Sequence, residues 1–283
     1  MQNELYREID AQIAAFPAKT AVLSAWLPAP GAPAVPGLPV AGCLYGCRAE
    51  ESVVSASTVK VAVLLTALSL CAQGALRPEE QVSLPEAAIL PDTQVFEAEN
   101  RRPAYPLWEL LYWMTVESDN TATNRLLDLL GMDAVNEFCR RWGLASTVVR
   151  RKMLDWDAVA AGKNNFTSLA DQYRLYALLN AKSFLPPALR ALGWRMLAEQ
   201  RFADGILRYL PRHPVFAHKS GCLDFLEHDA GVFLGRRLLF AGVFTWDGPS
   251  PEGDHRQLRH IGKIGRNLYL AARDELGQEE ALP

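Results

Sequence analysis

Strand-like segments lie at both ends of this 283-residue chain and enclose a long, mostly helical middle. Apolar runs predict strands at Thr20 to Leu27, Val40 to Arg48, Ala230 to Leu234 and Leu238 to Thr245. Helical spacing of apolar residues predicts helices at Leu107 to Val116, Thr121 to Leu130, Ala134 to Trp142, Leu169 to Leu179 and Ala188 to Leu197. The chain ends, Met1 to Ala15 and Arg256 to Glu275, are also predicted as helices.

This order of elements predicts an α+β fold. Residues 1–56 and 206–283 would form an antiparallel sheet with the two terminal helices beside it, and residues 57–205 an all-helical part. With 49% apolar residues, the chain can bury a sizeable core, and its length does not require two independent domains. Side chains from the two parts would meet in a cleft.

The string Ser57-Thr58-Val59-Lys60 has the spacing of a nucleophile and its base. On a helix, residues three apart share a face, so the Lys60 nitrogen can reach the Ser57 oxygen. Burial and a second cation, for which Lys219 is a candidate, would lower the pKa of this lysine. The apolar segment Val61 to Ala72 predicts a buried helix whose N-terminus favours an oxyanion. A core helix with a chance serine and lysine is the alternative.

The string Ser118-Asp119-Asn120 lies between two helix-like runs. Ser118 can relay a proton to a leaving nitrogen, and Asn120 can hold a substrate amide. Asp119 is expected to tie the loop together by accepting backbone hydrogen bonds. Alternatively, all three are ordinary turn and cap residues.

The string Lys219-Ser220-Gly221 precedes the strand-rich tail and is expected at a strand edge. Lys219 offers positive charge to a substrate carboxylate, Ser220 a hydroxyl, and Gly221 close approach to the backbone. The backbone N–H groups of Ser57 and Cys222 would form the oxyanion hole. The alternatives are a surface turn and, for Cys222, a strand residue whose side chain has no role.

In this order, the three strings form the signature set of penicillin-interacting serine hydrolases. The chain resembles the class A β-lactamases and, more broadly, the serine β-lactamases and penicillin-binding proteins, from about Ala21 to Ala272. The segments Ser118 to Asn124 and Ile261 to Gly265 carry further similarity. The resemblance implies a β-lactamase/transpeptidase-like fold and an acyl-enzyme on Ser57, with a β-lactam, a D-Ala-D-Ala-like peptide or a small ester as substrate.

The chain departs from the class A pattern in one motif. Class A enzymes carry a glutamate in a Glu-x-x-Leu-Asn string between the second and third motifs, and it activates the water that clears the acyl-enzyme. The corresponding region here contains Asp155 and Asp157 instead. Asp155 or Asp157 could replace the glutamate, with Asp155 as the preferred candidate, or else Asp155 pairs with a neighbouring arginine and holds the loop together. Two classes therefore stay open: a hydrolase, and a penicillin-reactive binding or sensor module that acylates without deacylating.

Composition points to a small-molecule substrate. A net charge of −3 gives no electrostatic case for nucleic acid or an acidic membrane surface, and a monomer is the default expectation. The five cysteines and five histidines show no metal-ligand spacing, so neither a metal nor another cofactor is expected. The N-terminus lacks the pattern of a secretory signal. The chain as given is predicted to be cytoplasmic, or secreted or periplasmic if an export signal has been removed.

Overall fold

The computed structural model describes residues 2–29, 31–210, 214–250 and 255–277. The α-helices are α1 Gln2–Ala15, α2 Lys60–Ala72, α3 Leu107–Val116, α4 Asn120–Leu130, α5 Met132–Arg141, α6 Trp156–Ala160, α7 Leu169–Asn180, α8 Pro187–Ala198 and α9 Arg256–Leu276. The strands are β1 Lys19–Trp26, β2 Cys43–Cys47, β3 Val53–Val54, β4 Gln81–Ser83, β5 Ala104–Pro106, β6 Phe166–Thr167, β7 Phe216–Leu223, β8 Leu226–Phe233 and β9 Leu239–Trp246.

One five-stranded antiparallel sheet joins the two ends of the chain, in the order β2-β1-β9-β8-β7. One face packs against α1 and α9 through Ile9, Val22 and Ile264. The other face packs against the helical part, where Tyr173 of α7 meets Phe240 of β9 edge to face. The predicted α+β class, with its sheet built from both ends of the chain, is confirmed.

Helix α2 is the centre of the helical part. Every residue from Lys60 to Leu68 is buried, and α3, α4, α5, α7 and α8 all contact this helix. A helix surrounded on all sides needs apolar residues all around, which explains the almost unbroken apolar run in the sequence. Its first turn is thereby held rigidly in the interior.

Four short strands that periodicity did not predict lie within the helical part or directly before it. Strand β3 pairs with β6, and β4 pairs with β5. Ladders of two or three residues are too short to show a period of two. The β3–β6 pair has a structural consequence, because it ties the segment before Ser57 to the loop after α6, where the backbone N–H of Ser55 donates to the Asn165 carbonyl at 2.9 Å.

Candidate active site

Ser57 lies in the 3-10 turn Ala56–Val59, which joins β3 to the first turn of α2. The side chain is half-buried at the edge of the helical part. The preceding residue, Ala56, has a φ of +44°, a left-handed conformation that is unfavourable for a residue with a Cβ. The turn places Ser57 beside the N-terminus of a buried helix, as predicted.

Lys60 is 1% exposed and connects the first motif to the second. Its Nζ donates to the Ser118 carbonyl at 2.6 Å, the Ser118 hydroxyl at 3.2 Å and the Asn120 side-chain carbonyl at 2.8 Å. Burial lowers the pKa of Lys60 to about 7, against the opposing influence of Asp119 and Asp92. A substantial fraction of this lysine is therefore neutral near pH 7.

The predicted hydrogen bond between Lys60 and Ser57 is not formed in this structure. All three hydrogen bonds that Lys60 Nζ makes within the described chain go to Ser118 and Asn120. The three-residue spacing was interpreted on an α-helix, whereas Ser57 lies in the 3-10 turn and Lys60 opens α2. Catalytic contacts of this kind often tighten only once the substrate is bound.

The second motif forms the junction between α3 and α4, as predicted. Ser118 has a φ of +57°, and Asp119 is the N-cap of α4. The Asp119 carboxylate accepts from the Ala122 backbone N–H at 2.7 Å and from the Thr93 hydroxyl at 2.6 Å. Both oxygens are thus engaged in holding the turn, which fixes Ser118 and Asn120 on either side.

The third motif lies on β7. Lys219 is 1% exposed, and its Nζ donates to the Ser220 carbonyl at 2.9 Å. Burial, reinforced by the nearby Lys60 charge and opposed by Asp229, holds the pKa of Lys219 well below its usual range. The Ser220 hydroxyl accepts from the Gln200 amide at 3.2 Å, so its position is fixed from outside the motif.

Gly221 lies directly against the amide of Ser57. A Cβ at this position would be 2.8 Å from the Ser57 nitrogen, a distance that Cβ atoms essentially never show, and a tight 3.0 Å from the Ala56 Cβ. Only glycine therefore lets β7 approach the nucleophile's backbone this closely. The approach brings Cys222, the next residue, to the same place, and the oxyanion hole formed by the Ser57 and Cys222 N–H groups stays a prediction.

All three motifs open onto one cavity of about 480 Å³, here called the main cavity. Its lining includes Ser57, Ser118, Asn120, Ser220, Gly221 and Cys222. The buried ammonium groups of Lys60 and Lys219 lie behind this wall. The structure therefore brings together every predicted site residue of the three motifs.

A smaller cavity of about 100 Å³, here called the loop-side cavity, lies on another side of Ser57. Arg151, Leu154 and Asn165 line it. Arg151 is buried, and its guanidinium donates to the Asn164 side chain at 3.1 Å and to the Lys152 carbonyl at 3.0 Å. Burial lowers the pKa of this arginine, with Asp155 opposing.

Asp155 is not brought to Ser57. It is the N-cap of α6, where its carboxylate accepts from the Ala158 backbone N–H at 3.0 Å, and it lines neither the main nor the loop-side cavity. These contacts do not support the expectation that it activates water, which stays a prediction. An aspartate before a short helix satisfies orphan backbone N–H groups, and that role engages the Asp155 carboxylate here. Asp157 is exposed in the first turn of α6.

Two residues that hold the site were not identified from the sequence. Gln200 positions Ser220, and its side-chain carbonyl also accepts from the Phe202 backbone N–H. Asn165 accepts from the backbone N–H groups of Arg150 and Arg151 and so closes the loop beside Ser57. Gln200 and Asn165 form no sequence motif with the residues that they contact. A polar amide side chain in a loop was the only local indication of their role.

The fold and the site together define a β-lactamase/transpeptidase-like serine hydrolase. A model of the Beta-lactamase enzyme family matches residues 39–272, so the chain belongs to this family. In a comparison with curated proteins, none matches the chain.

Solved structures share this fold. A β-lactamase from Sphaerobacter thermophilus superposes with a TM-score of 0.80 over 95% of this chain and 98% of its own, at 23% identity. A β-lactamase from Xanthomonas campestris pv. campestris gives 0.79 over 98% of each chain, at 20% identity. PBP-A gives 0.81 over 96% of each chain, at 20% identity, and a variant of PBP-A forms an acyl-enzyme complex with penicillin G. At these identities, the likeness establishes the fold.

Within the described ranges, no helix combines the length and apolar character needed to cross a bilayer. The same residues contain no group of three or more His, Cys, Asp or Glu side chains that could hold a metal ion.

Proposed function

We propose that this protein is a serine hydrolase that opens the amide bond of a β-lactam through an acyl-enzyme on Ser57. The observation that carries the proposal is the convergence of Ser57, Ser118 and Ser220 on the main cavity, with Lys60 and Lys219 buried behind them. A nucleophile and a proton donor thereby face one pocket, and a base lies directly behind them. Membership of the family supports the same reaction class.

The chemistry follows from the contacts. Neutral Lys60 takes the Ser57 proton, directly or through the adjacent Ser118 hydroxyl, while Ser57 Oγ bonds to the carbonyl carbon. As the carbonyl oxygen of the substrate becomes negative, it accepts hydrogen bonds from the Ser57 and Cys222 N–H groups. As the C–N bond breaks, Ser118 delivers a proton to the nitrogen and regains one from Lys60. Lys219, when protonated, offers positive charge to an anionic substrate group, and Asn120 can hold a substrate amide.

A second candidate is a penicillin-reactive binding or sensor module with slow or no deacylation. The loop-side cavity favours it, because no described residue that lines this cavity carries a carboxylate. The one charged side chain in the lining is Arg151, which cannot accept a proton from water. Water in that cavity would therefore lack the general base that class A enzymes supply.

Intact-protein mass spectrometry after mixing with a penicillin tests both candidates. We expect one adduct per chain on the wild type and none on Ser57→Ala, while Ser183→Ala, an exposed serine outside the site, keeps the adduct. Loss of the adduct with release of hydrolysed product identifies a β-lactamase, and a persistent adduct identifies the binding module. An unmodified wild-type protein that also leaves the penicillin intact would contradict the acyl-enzyme with β-lactams.

A further inference from the structure

The main cavity is also lined by residues outside the three motifs. They include Asp204, Glu227 and His255. Glu227 is on β8, directly opposite Cys222 of β7. Its side chain reaches the cavity from the sheet, although the residue is only 6% exposed.

Glu227 has no cationic partner. Within the described chain, its carboxyl group forms no ion pair and accepts from no N–H group, and the Cys222 side chain is its cross-strand neighbour. Burial raises the pKa of Glu227 to about 7, and the charge of Asp229 adds to this effect. A carboxylate that is nine-tenths buried without a cation is unfavourable unless a partner arrives from outside.

The other carboxylates of the main cavity are already engaged or exposed. Asp92 accepts from the Asn120 amide at 2.7 Å, Asp119 caps α4, and Glu117 pairs with Arg201. Asp204 is exposed and lies 3.6 Å from Arg208. Glu227 is therefore the buried acid in this lining whose negative charge is not balanced by the protein.

The position of Ser118 indicates which part of a substrate meets Glu227. Ser118 lines the main cavity and does not line the loop-side cavity, whereas Ser57 lines both. Since Ser118 delivers the proton to the leaving atom, the leaving group occupies the main cavity. The acyl group is then directed to the loop-side cavity.

We propose that Glu227 makes this site selective for substrates whose leaving group carries a positive charge. The inference rests on the proposed function, because it assumes acylation of Ser57. A cation in the main cavity would pair with the unbalanced carboxylate of Glu227. A neutral leaving group of the same shape does not gain this interaction.

Two esters of N-phenylacetylglycine test the proposal, one with choline and one with 3,3-dimethylbutanol. Their leaving groups have the same shape and differ in a single positive charge. Each ester competes with a penicillin for Ser57, and the inhibition constant is measured from the slowed formation of the penicillin adduct. We expect the choline ester to bind about tenfold more tightly to the wild type, as for other desolvated charge pairs.

In Glu227→Gln, which preserves shape, the ratio of the two inhibition constants should fall to about one. The matched control is Glu137→Gln, which removes the same charge from an exposed position on α5 and should keep the wild-type ratio. A ratio is insensitive to any loss of active protein. Equal ratios in the wild type and Glu227→Gln would overturn the proposal while penicillin acylation stands, whereas the absence of any penicillin adduct would overturn the proposed function itself.

The pH dependence gives a second readout. Because Glu227 ionises as pH rises through about 7, the preference for the choline ester should increase from pH 6 to pH 8 in the wild type and not in Glu227→Gln. The other titratable or charged groups around Glu227 are Cys222, Asp224, Asp229, Asp204, Arg208 and His255. All of them are present in both proteins, so the difference isolates Glu227. A flat wild-type profile would contradict the proposal.

Discussion

The side-chain nitrogen of Lys60 lies 2.6 Å from the carbonyl oxygen of Ser118 and 3.2 Å from its hydroxyl oxygen. This contact joins the first motif to the second, so the proposed base and the proposed proton donor are in direct contact. The lysine is buried, and its pKa of about 7 makes its charge sensitive to pH in the neutral range. Acylation should respond to this titration.

The acylation rate should rise with pH. Lys60 accepts the Ser57 proton only when neutral, so the rate constant should increase about tenfold per unit below pH 7 and level off above it. Stopped-flow acylation by a chromogenic cephalosporin between pH 5.5 and 9 measures this profile. A rate independent of pH below 7 would show that Lys60 is not the base.

The same lysine should leave a signature in stability. Its pKa is lower in the folded state than in the unfolded state, so the folded state is penalised by burying the charge below pH 7. The penalty fades between pH 7 and about 10.4, where the unfolded lysine titrates. From pH 7 to 9, the wild type should therefore gain about 2 kcal/mol of unfolding free energy relative to Lys60→Met.

Denaturant unfolding of both proteins at the two pH values measures this difference. The exposed Lys182→Met serves as the control. Its unfolding free energy should change with pH as that of the wild type does. A constant difference between wild type and Lys60→Met would mean that Lys60 titrates in the same range in both states.

Gly221→Ala should impair acylation without unfolding the protein. The added Cβ would meet the Ser57 nitrogen at 2.8 Å and must displace it from its position. Since one misplaced oxyanion donor lowers rates by about a hundredfold, we expect a loss of at least tenfold. Gly31→Ala, where nothing lies within 4 Å of the new Cβ, is the matched control. Equal acylation rates in both variants would argue against an oxyanion hole at Ser57.

The lifetime of the penicillin adduct should be unchanged in Asp155→Asn. Asparagine caps a helix as well as aspartate does, so α6 is preserved while the charge is removed. The adduct is followed by intact mass after excess penicillin is removed. A markedly longer lifetime in this variant would restore Asp155 as the water-activating base.

Leu154→Glu should shorten the lifetime of the same adduct. Leu154 lines the loop-side cavity together with Ser57, and a glutamate there would bring a carboxylate to a cavity without one. A positioned general base contributes about a hundredfold or more to such a step. Leu154→Gln, of equal shape and without the base, should behave like the wild type, and equal lifetimes in the two variants would contradict this account.

The sequence predicted the elements that local chemistry determines. The bounds of Leu107 to Val116 were correct because a proline precedes the apolar run and a polar turn follows it. The motif residues also came together as predicted, because their residue types and spacing indicate a shared chemistry that requires them to be close. Asp155 was different, because the same aspartate before the same short helix is compatible with a cap and with a base.

The partners of Glu227 could not be predicted either. They depend on the register that places it opposite Cys222, and on the loop and helix that close the cavity around Asp204 and His255. A shift of one residue in this register would turn Glu227 to the other face of the sheet. Burial without a cation is visible only once that register is known.

Strand β1 pairs along its whole length with β9, which lies more than 200 residues later in the sequence and is followed by α9. During synthesis, β1 therefore cannot pair with β9 until most of the residues between them and β9 itself have been made. The backbone of β7 that positions the Ser57 amide also belongs to the late-emerging half. Ser57, made early, consequently gains its contact with β7 only after most of the chain has been made, so the complete site forms late in synthesis.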